Sequence, residues 1–158
     1  MATIAYHGED YQVRMDSFMK SPMALRIETR TVKGGMKSTK RITYNQGNWA
    51  KFNLQMPKNC SFVDVNRYEG LEEFLQGTGL AKPYEIDGSE VVRNVNDNWY
   101  PLYEFNEQML KKLDPGGYAK YSMKYDKQLE VESLRYGMAL QRSLVPDTGK
   151  VEIDYYQL

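Results

Sequence analysis

Lys33-Gly34-Gly35-Met36-Lys37-Ser38-Thr39 is the stretch of this chain that comes nearest to a phosphate-cradling loop. In such a loop, glycines let the backbone close on an anion while a lysine and a hydroxyl neutralise it and hold a metal. That chemistry needs the form K-G-G-x-G-K-[ST], and this chain lacks the glycine immediately before Lys37. It also needs a helix opening directly after the loop, because the helix N-terminus supplies further donors and a favourable dipole. The next residues are instead KRITYNQ, β-branched and aromatic with no helical period. The segment therefore reads as a glycine-containing hairpin turn.

The other reactive side chains yield no better constellation. Asp147-Thr148-Gly149 has the letters of an aspartic-protease signature, but Pro146 precedes it and only nine residues come after Gly149, so PDTG reads as a turn. His7, the single histidine, sits beside a turn with no second imidazole or cysteine near it to share a metal. Cys60 has no adjacent base and reads as a buried small hydrophobe. Glu72 with Glu73 and Glu130 with Glu132 are pairs by spacing alone, and acid–base work needs two carboxyls in different environments around a cleft. No nucleophile, base, metal site or cofactor site is assigned, which ranks catalysis behind binding.

Charge is informative once it is located. The 21 basic and 21 acidic residues cancel, so any electrostatic partner must read a local patch. Residues 24–51 carry seven basic side chains against Glu28 alone, a net of +6, whereas residues 52–110 are net −6. One cysteine fits a reducing compartment, and neither a signal segment nor an apolar run of about 18 residues is present, so the reading is a soluble cytoplasmic protein with no membrane partner.

The elements that must position these charges alternate with period two. TIAY and YQVRM flank Gly8 as a hairpin, and ALRIETRTV, RITYN and WAKFNLQM form a three-strand meander with Leu25, Ile27, Thr29 and Thr31 on one face. SFVDVNRY is a fourth strand, YEGLEEFLQGTG a short helix with Gly77 or Gly79 as its stop, and SEVVRNV and WYPLYEF pair across Asn96-Asp97-Asn98, with Pro101 marking an edge or a bulge. Asn106 caps a second helix that DPGG ends, and YAKYSMKY alternates as a strand with Ala119, Tyr121, Met123 and Tyr125 on one side. Residues 128–144 fit either helix or strand, and VEIDYYQL is a final hairpin strand. The expected architecture is one mostly β (α+β) domain over residues 1–158, an antiparallel sandwich or small barrel with two short helices.

In that meander Arg26, Arg30, Arg41, Trp49 and Lys51 fall opposite the apolar face, and Lys33, Lys37 and Lys40 crowd the hairpin tip. Cations that track phosphates beside an aromatic platform are what single-stranded nucleic acid requires. The expected function is a non-catalytic module that binds single-stranded nucleic acid, with those eight residues as the site. The alternative is a structural or interaction protein, a homo-oligomer, virion subunit or inhibitor, whose +6 segment docks on a −6 segment and whose thirteen tyrosines suit interfaces.

Overall fold

The computed structural model describes residues 2–19, 21–45, 56–135, 138–144 and 149–157. Strand exceeds helix, 43% to 30%, so the chain is mostly β with an α+β arrangement. The first hairpin joins β1 (Ile4–Tyr6) to β2 (Glu9–Phe18) through His7 and Gly8, both at positive φ (48° and 80°). Two left-handed central residues give the turn whose twist matches that of its strands. β3 (Ser21–Thr31) pairs antiparallel with β2, and its alternation places Leu25, Ile27 and Thr29 in the core and Arg26, Glu28 and Arg30 on the outer face.

The RITYN segment forms only the two-residue strand β4 (Lys40–Arg41), yet its continuation joins the two sheets of the fold. Ile42 N–H donates to Ile27 O, Tyr44 N–H to Phe62 O, and Asp64 N–H to Ile42 O. The expected WAKFNLQM strand and the PDTG turn lie outside the described residues, apart from Met56 and Gly149.

The second sheet contains β5 (Cys60–Phe62) and, after helix α1 (Leu71–Thr78), the strands β6 (Ala81–Pro83), β7 (Glu85–Ile86), β8 (Ser89–Val95) and β9 (Asn98–Phe105). α1 buries Leu71, Phe74 and Leu75 and runs through Gly77 to stop at left-handed Gly79, the second of the two expected stops. Pro101 lies neither on an edge strand nor at a bulge: β8 flanks it at Val92, and Val63 N–H bonds to its carbonyl on the other side. Its missing donor leaves no orphan, because the Val63 carbonyl opposite already accepts from Val65 N–H at 3.0 Å.

α2 (Glu107–Leu113) is capped by Asn106, whose side chain accepts from Met109 N–H at 3.0 Å. DPGG does end this helix, but it also opens α3 (Pro115–Arg135), so YAKYSMKY is helical and the described residues hold three α-helices in place of the expected two. Asp114 is the N-cap and Pro115 the first helical residue, a start signal that shares its letters with a turn. Tyr118, Tyr121 and Tyr125 recur at helical spacing and are buried, whereas Met123, on the same face of the expected strand, is 66% exposed. The ambiguous 128–144 region divides into the end of α3 and strand β10 (Met138–Leu144), which forms a hairpin with β11 (Val151–Gln157). β11 in turn lies parallel to β8 and completes the sheet. No helix among the described residues is long and apolar enough to cross a membrane.

Asp114 also ties α3 to the first sheet. Past Tyr11 the outer edge of β2 has no strand neighbour among the described residues, and Met15 N–H there donates to Asp114 Oδ2 at 3.0 Å. The other oxygen, Oδ1, accepts from Gly117 N–H at 3.1 Å. One carboxylate thus satisfies a helix end and a strand edge together.

Four buried tyrosines of α3 and β9 are hydrogen-bonded to protein groups. Tyr121 Oη accepts from Asn59 N–H at 2.7 Å, Tyr118 Oη lies 2.8 Å from Asn59 Oδ1, Tyr125 donates to Met56 O, and Tyr103 donates to Glu72 at 2.7 Å. Burial, aided by Glu107, pushes the Tyr118 hydroxyl up to about 12, and burial with the nearby Cys60 and Asp126 pushes Tyr125 up to about 12. Burial raises Tyr103 and Tyr121 as well. Because the folded state prefers Tyr118 and Tyr125 neutral, their contribution is whole below the unfolded value of about 10 and disappears as pH rises through about 12. Alkaline titration is therefore expected to show late tyrosinate absorbance at 295 nm, rising together with loss of the far-ultraviolet dichroism. Ionisation complete near pH 10 with the dichroism unchanged would contradict this.

Candidate nucleic-acid interface

The glycine turn is built by packing. Ser38 Oγ accepts from Thr31 N–H at 3.0 Å and donates to Gly35 O at 2.9 Å, closing a 3₁₀ turn over Gly35–Ser38. A Cβ on Gly34 would lie 2.8 Å from Ser38 Cβ, so the glycine permits that close approach. Ser38, whose hydroxyl would hold a metal in a nucleotide loop, here holds the turn itself. β4 begins directly after Thr39, with no helix.

From this turn the cations divide. On the outer face of the first sheet the register sets Arg30 opposite Gln12, Arg26 opposite Asp16, and Glu28 opposite both Arg14 and Arg41. Arg26 forms an ion pair with Glu28, and Arg30 donates to Gln12 Oε1 at 2.6 Å. The Arg41 guanidinium stands 5.7 Å over the Phe18 ring. Lys33 and Lys37 are exposed at the tip and make no ion pair among the described residues. Lys40 departs from this group: it pairs in register with inward-facing Thr29, and its Nζ lies 5.5 Å over Tyr68 on the other side of the strand. Trp49 and Lys51 lie outside the described residues.

Three basic residues join the face that the residue 24–51 window omits. Arg14 belongs to the first hairpin, while Lys120 and Lys124 come from α3, where the alternation suggested a strand. Arg14, Arg26 and Lys120 line one cavity of about 400 Å3 with Asp16, Glu28 and Asp114. Each of these carboxylates is already engaged. Asp16 accepts from Lys124 at 3.0 Å, Glu28 from Arg26, and Asp114 from two backbone amides. Burial alone would raise Asp16, but Lys124 and the Ser17 N–H outweigh it and hold its carboxyl below the ordinary value. Arg14 and Lys120 make no ion pair or hydrogen bond among the described residues, and the charge of Lys120 also helps to lower Asp16. A second depression of about 90 Å3, lined by Gln12, Arg14, Glu28, Arg30 and Met36, carries the surface on to the hairpin tip.

The alternation of Val13, Arg14 and Met15 in YQVRM is the signal by which Arg14 could have been read as outward. The lysines of α3 needed the Asp-Pro helix start to be read as such. The remaining candidates do not converge on this face: His7 is exposed in its turn, and Cys60 is fully buried with its thiol raised by burial. Among the described residues no group of three or more metal-ligating side chains is found.

Comparison of the chain with protein-family models, with characterised proteins and with solved structures gives no match in any of the three.

Proposed function

We propose that the protein is a non-catalytic module that binds single-stranded nucleic acid across the outer face of β2, β3 and β4 and the tip that joins the last two. The observation that supports this reading is the set of four arginines, Arg14, Arg26, Arg30 and Arg41, on adjacent strands with Glu28 and Asp16 among them. Neighbouring strands stand about 5 Å apart, so these guanidinium groups form a continuous donor surface. Guanidinium donors grip phosphate in pairs and also stack on bases, which suits a strand whose bases are not paired. Lys33 and Lys37 extend the surface at one end and Lys120 at the other. Trp49 is the stacking residue in this reading, and a reducing cytoplasm the setting that fits the lone Cys60.

A protein-binding reading has its own support. The acidic residues of 52–110 belong largely to α1 and the second sheet, whereas the basic segment is on the first, so one copy can present opposite charges to another. One titration separates the two. Binding of a labelled single-stranded oligonucleotide, monitored by anisotropy from low to high salt, is expected to give log affinity falling with log salt at a slope of about −0.7 per phosphate engaged, or roughly −3 for four to five phosphates. No binding at low salt, with a mass that rises with protein concentration, is the outcome that would replace this reading with self-association.

A further inference from the structure

We infer that a small aromatic cavity behind β4 holds one base of the bound strand, an inference that rests on the nucleic-acid reading above. The cavity, of about 140 Å3, is walled by Tyr6, Tyr11, Tyr68 and Phe74, with Lys40 and Glu69 at its polar side. Sites for drug-sized molecules run from about 300 to 1,000 Å3, so this one admits a single planar ring system and excludes a whole cofactor.

Its walls are arranged for stacking. Phe74 meets Tyr6 edge-on at 5.2 Å and Tyr11 at 5.0 Å, and His7 lies flat on Tyr6 at 3.9 Å and 15°, extending that surface outward. Tyr68 carries two cations near its ring, Lys40 at 5.5 Å and Arg67 at 5.6 Å. The hydroxyls supply a second, independent observation. In the core Tyr103, Tyr118, Tyr121 and Tyr125 all hydrogen-bond to protein groups, whereas Tyr6, Tyr11 and Tyr68 make no such bond among the described residues. These three half-buried phenols therefore retain polar capacity that a ligand's edge can use, and the Glu69 carboxylate is an acceptor suited to an exocyclic amino group.

β4 is an edge strand of its sheet, and its two residues face opposite ways. Arg41 belongs to the basic outer face and Lys40 to the cavity. A strand that crosses this edge sets phosphates beside Lys37 and Arg41 while one base turns inward past Lys40. The departure of Lys40 from the other cations then has a purpose: it neutralises the phosphate of the inserted nucleotide.

The test compares an intact single-stranded oligonucleotide with an abasic strand of the same length and phosphate number, by anisotropy at two salt concentrations. Wild-type protein is expected to bind the intact strand about tenfold more tightly, the effect of one stacked base. Tyr68→Ala is expected to lower intact-strand affinity toward the abasic level, the base on Trp49 being kept, while leaving abasic binding and the salt slope unchanged. Tyr68→Phe, which keeps the ring, should retain the preference, Tyr6→Ala should lower it if Tyr68→Ala fails to fold, and Lys40→Gln should weaken both strands alike. Equal binding of both strands by wild type, or a full preference in Tyr6→Ala and Tyr68→Ala, would overturn the cavity and leave the basic face standing. Absence of binding to either strand at low salt would overturn both.

Discussion

Alanine at Gly117 is expected to lower the free energy of unfolding by about 3 kcal/mol, combining overpacking with disturbance of the Asp114 hydrogen bonds. A Cβ there would overlap the Asp114 carboxylate and the Met15 carbonyl. The carboxylate cannot simply swing away, because it holds Met15 N–H on one side and Gly117 N–H on the other. The carbonyl belongs to a strand fixed by its pairing with β3. The first turn of α3 must therefore withdraw from β2. Gly116 is the internal control: a Cβ there has no atom within 4 Å, so Gly116→Ala is expected to be neutral or slightly stabilising by helix propensity. Urea denaturation of the two variants checks this, and equal midpoints would refute the anchoring role given to Asp114 and Gly117.

Removing the four outer-face arginines together (R14A, R26A, R30A and R41A) is expected to weaken oligonucleotide binding on the order of a hundredfold near 0.1 M salt and to flatten the salt slope by about 3. Arg14→Ala alone should flatten it by about 0.7. That single change is the cleaner measurement, since Arg14 makes no ion pair or hydrogen bond among the described residues whose loss would complicate the fold. Lys82→Ala removes an exposed lysine paired with Glu104 on the second sheet and should leave both quantities unchanged. Equal losses from Arg14 and Lys82 would mean that the protein responds to its overall charge and not to this face.

Strand alternation, turn residues and helix stops are local, and they are legible in the letters. The β1–β2 hairpin, the inward Leu25, Ile27 and Thr29, α1 with its Gly79 stop and the Asn106 cap all arise from interactions within a few residues. So does the failure of the Lys33–Thr39 segment to become a phosphate loop: β-branched residues after Thr39 favour a strand, and a strand forms there.

Period alone does not classify Tyr118–Tyr125, because tyrosines at 118, 121 and 125 satisfy a helix while 121 and 125 with Met123 satisfy a strand. The exposure of Met123 decides, and exposure exists only once the helix lies on the sheet. Pro101 escapes the edge-strand rule for a related reason. Proline is excluded from an inner strand only where its absent donor strands an acceptor, and here Val65 occupies that acceptor.

The composition of the basic face divides along the same line. Sequence determined that residues 24–51 are rich in cations and that Arg26 and Arg30 share a parity, while the pairing of β3 with β4 sets Arg41 on their face. Only tertiary structure could bring Arg14 and Lys120 beside them, send Lys40 to the aromatic side, and match Asp16 with Lys124 across more than a hundred residues. Parity is a property of one backbone, whereas charge pairing depends on which backbones the core has drawn together.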